Sequence, residues 1–150
     1  MERGVKLTKI SVGHNSMIEG GVKVIGNGMG NITIGEESYI GVNNILDSCS
    51  NITIGNFVHI AGPSTALWCH SSVKMVQNSI PLNAANRDSY RPTSGIIIKD
   101  NVYVGGNCTI YPGVLVESYS VVAPNTAVVH NVEAGIMVGG VPAKFIKRLV

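Results

Sequence analysis

The chain has 150 residues, of which 45% are hydrophobic but only 5% are aromatic, and its formal net charge is +2. So small a charge, without basic residues interleaved with aromatic ones, argues against nucleic-acid binding. No apolar run approaches the roughly 18 residues that a membrane span needs, and the polar start Met1-Glu2-Arg3 is unlike a secretory signal. We therefore expect one cytoplasmic domain over residues 1–150.

Aliphatic residues recur every six positions along most of the chain. The repeat occupies residues 12–24, 34–46, 54–66 and 98–134, and Val, Ile or Leu fill fourteen of its sixteen positions. A helix would place apolar residues at spacings of three and four, and a half-exposed strand would alternate by two. A strict six instead predicts short straight segments joined by corners. Such segments stack as three-sided coils about 4.8 Å apart.

Equivalent positions in successive coils show where the repeat is interrupted. These positions are Val12, Ile34, Ile54, Ile98 and Val116, separated by 22, 20, 44 and 18 residues. An uninterrupted coil of three hexads takes 18 residues. The longer spacings therefore predict small insertions at residues 27–30 and 51–52 and an excursion of 26 residues between about 71 and 95. A long segment without the repeat, rich in Asn, Ser, Pro and Arg, is a candidate active-site loop.

The hexads at residues 34–39 and 104–114, and the Gly-Gly-Val-Pro-Ala-Lys sequence at 139–144, resemble the hexapeptide-repeat acyltransferases. The resemblance covers almost the whole chain and is to sugar O-acetyltransferases of the galactoside, maltose and xenobiotic type. It implies an all-β fold, a left-handed parallel β-helix with a protruding loop at about 71–95 and a short C-terminal tail helix after Pro142. It also implies a homotrimer with active sites between neighbouring subunits.

One of the four histidines, His70, stands where the chain leaves the coil and enters the long loop. His14, His59 and His130 occupy corner or outward phases of hexads, which favours solvated surface positions. The resemblance places the catalytic histidine of the family at His70. A neutral imidazole can take a proton from an alcohol or amine while that group attacks a thioester. The sequence leaves three carboxylates open for orienting the ring: Glu19, Asp47 and Asp88.

The resemblance assigns residues of the later coils to acetyl-coenzyme A. Tyr103 stands where a tryptophan usually walls the pantetheine arm, and Gly106, beside Gly105, matches a residue whose backbone N–H binds that arm. Pro124, at the matching position one coil later, has no N–H to offer. Three further residues match positions near the coenzyme A phosphates: His130, where a lysine is common, Lys144 and Lys147. A solvated C-terminal tail is the alternative reading of the basic cluster that Arg148 completes.

Polar residues of the long loop are candidate contacts for the acceptor, reaching across to a neighbouring subunit. They are Asn83, Asn86, Arg87, Asp88, Tyr90 and Arg91. Pairing between Arg87 and Asp88 is an equally good account of those two residues. Together these features predict a coenzyme A-dependent O-acetyltransferase that acts on a hydroxyl of a sugar or glycan precursor. We expect direct transfer, with neither a metal nor a covalent acyl-enzyme.

Three other functions stay open. The first is N-acetylation of an amino sugar, including a nucleotide-linked one. A γ-class carbonic anhydrase shares the fold but needs three histidines around one metal, and the chain has no pair of histidines separated by four residues. A noncatalytic or ice-binding scaffold would carry a ladder of identical polar residues, of which Thr33 and Thr53 supply two.

The three cysteines, Cys49, Cys69 and Cys108, form an odd set without Cys-x-x-Cys spacing. We therefore expect buried, reduced thiols.

Overall fold

A computed structural model describes residues 8–150, so Met1-Glu2-Arg3 lies outside the described residues. Each strand in this range is short, because a corner follows every two to five residues. In chain order the strands are β1 (Ile10–Val12), β2 (Met17–Ile18), β3 (Lys23–Ile25), β4 (Ile32–Ile34), β5 (Tyr39–Ile40), β6 (Ile45–Asp47), β7 (Ile52–Ile54), β8 (His59–Ile60), β9 (Ala66–Leu67), β10 (Ile96–Ile98), β11 (Tyr103–Val104), β12 (Thr109–Ile110), β13 (Leu115–Val116), β14 (Val121–Val122), β15 (Ala127–Val128), β16 (Ile136–Gly139) and β17 (Lys144–Arg148).

These strands form three sheets, which are the faces of a three-sided β-solenoid. The first sheet has the order β1-β4-β7-β10-β13, the second has the order β17-β16-β14-β11-β8-β5-β2, and the third has the order β15-β12-β9-β6-β3. Every neighbouring pair is parallel except β16 with β17. From β1 to β16, successive strands of the chain lie in different sheets, so each circuit of the three faces is one coil. The predicted all-β, parallel β-helical fold is confirmed.

The strand register confirms the coil assignment made from the repeat. Val12 pairs with Ile34, Ile34 with Ile54, Ile54 with Ile98, and Ile98 with Val116. The insertions therefore leave the stack in register. The excursion at 71–95 departs after β9 and returns to β10, as the spacing predicts.

From the second coil onward, aliphatic side chains at the repeat positions fill the interior, whereas Val12, Ile18 and Val24 of the first coil are exposed at the end of the stack. Ile34, Ile40, Ile54 and Ile60 are at most 2% exposed. Burying a side chain of this size contributes roughly 1.5–3 kcal/mol relative to leaving it in water, so one such residue per face per coil supplies most of the stabilisation. The three cysteines are also buried and unpaired, which confirms the expectation for them.

Two alanines assigned to the repeat do not take interior positions. Leu67 rather than Ala66 pairs with Leu46 and joins the buried cluster, because the preceding corner contains one residue more than the repeat provides. Ser64 adopts a left-handed backbone conformation in that corner, with φ of +66°. Ala134 is exposed, and the interior is continued instead by Val132, which bridges to Val116.

The C-terminal tail is a strand, and the expectation of a tail helix after Pro142 is wrong. Lys144–Arg148 forms β17, which pairs antiparallel with β16 at the edge of the second sheet. A single helical turn leaves most of its backbone N–H and C=O groups without hydrogen-bond partners. As a strand, the tail pairs its own backbone groups with those on the open edge of β16. The reversal also covers the last parallel strand of that sheet.

The long loop leaves and re-enters the solenoid at one point. His70 forms an antiparallel bridge with Thr93, and the Ser94 N–H donates to the Cys69 carbonyl oxygen at 2.9 Å. Within the loop are α1 (Val73–Gln77) and a 3₁₀ turn at Arg87–Tyr90, and Met75 is buried. Among residues 8–150, no helix has the length and apolar character that crossing a membrane requires.

Candidate active site

The base of the long loop brings His70 next to Asp47. Asp47 ends β6, and β6 pairs with β9, from which the chain continues to His70. The His70 Nδ1 and Asp47 Oδ2 atoms lie 2.5 Å apart, within hydrogen-bond distance. The Asp47 side chain is fully buried, whereas that of His70 is 20% exposed. One edge of the imidazole is therefore fixed by the protein and the ring remains accessible from outside.

Asp47 is held as a carboxylate. Its Oδ1 accepts the Cys49 N–H at 3.0 Å and its Oδ2 accepts the Cys69 N–H at 2.9 Å. Burial alone would raise the pKa of Asp47, but hydrogen bonds from Cys49, Cys69 and His70 outweigh it and hold this pKa below its ordinary value. An ionised carboxylate can only accept, so we assign the proton of the neutral ring to Nδ1. This tautomer leaves Nε2 as an unprotonated base.

The other two carboxylates considered for orienting His70 have other partners. Asp88 lies 3.5 Å from Arg87 and 3.8 Å from Arg91 and is 84% exposed. The pairing of Arg87 with Asp88, one of the two alternatives for these residues, is thus present. Glu19 lies beside Tyr39. The pKa of the Tyr39 phenol is raised, chiefly by burial and in second place by the charge of Glu19. Asp47 is the carboxylate that contacts His70.

A glycine in left-handed conformation packs against this pair from the preceding coil. Gly26 has φ of +97°, and a Cβ placed on it would lie 2.6 Å from Asp47 Oδ1 and 2.9 Å from Cys49 Sγ. The insertion that follows is tied to Ser48, because the Gly28 N–H donates to the Ser48 hydroxyl at 3.0 Å. The spacing of the repeat predicts this insertion but gives no sign that it supports the buried carboxylate.

Gly26→Ala should lower turnover at His70 by about tenfold or more, because the added methyl group displaces Asp47 and a misplacement near 1 Å can cost about 10²-fold. Gly20→Ala controls for an added methyl group alone, since a Cβ there meets nothing within 4 Å and the backbone is not left-handed. Circular dichroism would verify that both variants fold. Equal turnover in the two variants would contradict a supporting role for Gly26.

The residues predicted to bind acetyl-coenzyme A lie along a different edge of the solenoid from His70. Tyr103 is 43% exposed on β11, and Gly105 and Gly106 form the corner between the second and third sheets. Pro124 stacks on this corner one coil later. A Cβ placed on Gly105 would lie 2.5 Å from the Pro124 nitrogen. The Gly106 N–H donates no hydrogen bond within residues 8–150. The roles of these residues stay predictions.

The predicted basic residues lie near the C-terminal end of the stack. Lys144 and Lys147 are exposed on β17, and His130 is exposed after β15. A column of paired residues connects this end to the predicted pantetheine wall, because Tyr103 pairs with Val121, Val121 with Met137, and Met137 with Lys147. Three strand spacings place Lys147 roughly 14 Å from Tyr103.

The predicted acceptor residues differ in how free they are to bind a ligand. Asn83 and Asn86 are exposed, and Tyr90 is half-buried. Arg87 donates to the Leu82 carbonyl oxygen at 2.8 Å besides facing Asp88. Arg91 lies near the His70 site. Burial raises the pKa of the nearby Cys49 thiol, and the positive charge of Arg91 partly offsets that rise. Their role toward an acceptor stays a prediction.

The chain matches no family model. It is similar to a solved hexapeptide-repeat acetyltransferase from Vibrio cholerae, with 30% identity and a TM-score of 0.77 over 93% of this chain and 74% of that one. A second structure of the V. cholerae protein, in complex with acetyl-coenzyme A, gives 30% identity and a TM-score of 0.75 over 93% of this chain and 71% of that one. A solenoid of this architecture and similarity places the chain in the hexapeptide-repeat acetyltransferase family.

Two curated relatives differ in the atom that they acetylate. A putative lipopolysaccharide biosynthesis O-acetyl transferase, WbbJ from Escherichia coli K12, is 28% identical over 145 residues, covering 79% of this chain and 72% of WbbJ. A tetrahydropyridine-2,6-dicarboxylate N-acetyltransferase from Clostridium perfringens is 47% identical over 53 residues, or 35% of this chain. The chain spans about a fifth of that relative, 22% of its length.

Proposed function

We propose that this protein transfers an acetyl group from acetyl-coenzyme A to a hydroxyl of a sugar or glycan precursor, with His70 as the general base. The observation that carries the proposal is the hydrogen bond between buried Asp47 and part-exposed His70 at the base of the loop. The V. cholerae relative binds acetyl-coenzyme A, and WbbJ is named for O-acetylation in lipopolysaccharide synthesis. These similarities support the donor and the acceptor class respectively.

In the proposed mechanism, His70 Nε2 takes the proton of the acceptor hydroxyl as its oxygen attacks the thioester carbonyl carbon. The carbon–sulfur bond then breaks, and the imidazolium returns the proton to the leaving coenzyme A sulfur. Asp47 keeps the ring in the required tautomer and stabilises its positive charge. Proton transfer of this kind accounts for roughly 10² to 10⁴ in rate.

Direct transfer also fits the state of the nearby thiols. Burial, followed by the charge of Asp47, raises the pKa of Cys69 to about 12. Burial likewise raises the pKa of Cys49. A thiol is nucleophilic as its thiolate, so neither cysteine is suited to carry the acetyl group as a covalent intermediate.

We place the coenzyme A arm along the column from Tyr103 to Lys147. The exposed Tyr103 ring offers an apolar wall, the Gly106 N–H is available to a carbonyl of the arm, and Lys147 and Lys144 meet the phosphates. Pro124 supplies surface only, since it has no N–H. His130, exposed near the same end, offers a further contact to the phosphates when protonated.

Changing Lys144 and Lys147 together to Glu should weaken coenzyme A binding strongly at low salt and less at high salt. Each exposed contact is worth on the order of 1 kcal/mol because solvent and ions screen it. Turnover at saturating cofactor should change little, since the thioester lies at the other end of the arm. Calorimetric titration at two ionic strengths measures the effect.

The matched control changes Lys9 and Lys23 to Glu. Both lysines are exposed in the first coil, so this variant carries the same change in net charge at the opposite end of the stack. If the two double variants bind coenzyme A equally well at low salt, the basic strand β17 is only a solvated end.

The acceptor assignment is tested by thiol release from acetyl-coenzyme A with paired acceptors, such as glucose and glucosamine, free and nucleotide-linked. We expect release with hydroxyl acceptors and an acetyl ester by mass spectrometry. N-acetylation is the second candidate, favoured by the C. perfringens relative, and an amide as the main product would establish it. Absence of release with every acceptor, or equal release by the His70→Ala variant, would overturn the proposal.

We further propose a single-domain, cytoplasmic homotrimer in which the loop of one subunit reaches the site of its neighbour. Exposed apolar residues on the outer face of the second sheet, including Met17 at 57% and Tyr103 at 43%, favour association. Asn83, Asn86, Arg87 and Tyr90 would then approach the acceptor together with His70. Sedimentation equilibrium should give three times the subunit mass of 15.8 kDa.

A further inference from the structure

The proposed reaction gives the Cys49 thiol, which lies beside Asp47 and His70, no chemical role. Cys49 lies two residues after Asp47, and its sulfur packs against Gly26 of the preceding coil. One ligand atom from each of Asp47, Cys49 and His70 lies within 4.8 Å of the others. In the part of the chain that the structure describes, no other group of three or more His, Cys, Asp or Glu residues is placed to hold a metal ion.

We propose that Asp47, Cys49 and His70 form a binding site for a thiophilic divalent cation such as Zn²⁺, and that the bound cation inhibits acetyl transfer. A carboxylate oxygen, a thiolate sulfur and an imidazole nitrogen are the ligands that Zn²⁺ uses in proteins, and three of them leave a fourth position for water. The binding site stands on geometry alone. The inhibition rests on the proposed function.

Occupation by a metal that binds His70 through Nδ1 is incompatible with the hydrogen bond that orients the ring. Zinc bonds to nitrogen and oxygen of about 2.0–2.2 Å in tetrahedral geometry hold those two ligand atoms roughly 3.3 Å apart. His70 Nδ1 and Asp47 Oδ2 are 2.5 Å apart, so the pair must open by nearly 1 Å to admit the ion between them. The ion and the catalytic arrangement therefore exclude each other.

Either mode of imidazole coordination removes the base. If Nδ1 binds the ion, the single proton of the neutral ring resides on Nε2, and that atom can no longer accept a proton. If Nε2 binds the ion, its lone pair is occupied. In both cases Cys49 gives its thiol proton to solvent as the sulfur–metal bond forms.

The surroundings suit a closed site with one entrance. Asp47 is fully buried and Cys49 is 5% exposed, whereas the His70 side chain is 20% exposed. A hydrogen bond from the Cys69 N–H fixes the Asp47 side chain, and one from the Asn27 backbone fixes the Cys49 sulfur. A cation enters past the imidazole, from the side proposed for the acceptor hydroxyl.

Cobalt(II) titration of the full chain tests the site without any assay of activity. A thiolate ligand to cobalt gives a charge-transfer absorption, which should saturate at one equivalent. Cys49→Ser should lose this absorption. Cys108→Ser should retain it, because Cys108 is an equally buried thiol outside the trio. Persistence of the band in a folded Cys49→Ser variant, or no binding at one equivalent by the parent, would overturn the site.

Zinc titration of acetyl transfer tests the inhibition, with each variant compared to its own zinc-free rate. The parent should be inhibited and a chelator should restore it, while Cys49→Ser should need at least about tenfold more zinc. Cobalt binding without zinc inhibition would overturn the inhibitory role and leave the site standing. Loss of activity on chelation of the untreated parent, restored by zinc, would overturn both inhibition and our expectation of a metal-free reaction.

Discussion

His70→Ala should lower the turnover number by about 10²-fold or more, because the variant has no group in place to accept the proton of the acceptor hydroxyl. Folding should survive, since the His70 side chain is part-exposed and lies outside the buried aliphatic cluster. Asp47 keeps its hydrogen bonds from the backbone of Cys49 and Cys69 in this variant. Thiol release from acetyl-coenzyme A at saturating acceptor measures the effect, with circular dichroism as the check on folding.

His14→Ala is the matched control for this experiment. His14 is an exposed histidine at a corner of the first coil, so the same substitution there should leave turnover near that of the parent. A folded His70→Ala variant with near-normal turnover would show that another residue takes the proton, and the proposed mechanism would be wrong.

The fold was predictable because the interior of a three-sided coil admits one aliphatic side chain per face. Aliphatic residues therefore recur every six positions in the sequence, and this spacing predicts strand pairs such as Ile34 with Ile54. The prediction erred where a corner departs from the repeat, and so chose Ala66 in place of Leu67. The tail was also mispredicted, because the pairing of β17 depends on an open edge of β16 that no local pattern reveals.

The candidate site was predictable only in part. His70 stands at the boundary between repeat and loop, which spacing alone identifies. Asp47 lies 23 residues earlier, and choosing it over Glu19 and Asp88 requires knowing that β6 and β9 are neighbours with Leu46 against Leu67. The Ala66 assignment shifted that register by one residue and so obscured the contact. The contact of Gly26 with Asp47 and the position of Cys49 beside this site could not be predicted, since both come from packing between coils.

Asp47→Asn should lower turnover by about 10²-fold or more with little change in coenzyme A affinity. The amide has one acceptor oxygen where the carboxylate has two, yet the Cys49 N–H, the Cys69 N–H and His70 all donate to Asp47. If its NH₂ group faces the ring, Nδ1 must accept and the ring proton moves to Nε2, which removes the base. Kinetics at saturating cofactor, with calorimetric titration of coenzyme A, separate this loss from weakened binding.

The same variant should change how stability depends on pH. The pKa of Asp47 is lowered by folding, so the carboxylate stabilises the native state above its unfolded-state pKa, and this contribution is lost as pH falls through the folded-state pKa. The amide does not titrate, so the stability gap between parent and Asp47→Asn should be largest near neutral pH and should narrow below about pH 4. Urea unfolding across this range measures the gap, and Asp88→Asn, at an 84% exposed carboxylate, is the control whose gap should stay small throughout. A gap for Asp47→Asn that is constant with pH would show that Asp47 is not held as a carboxylate, and would remove the basis for assigning the free lone pair to Nε2.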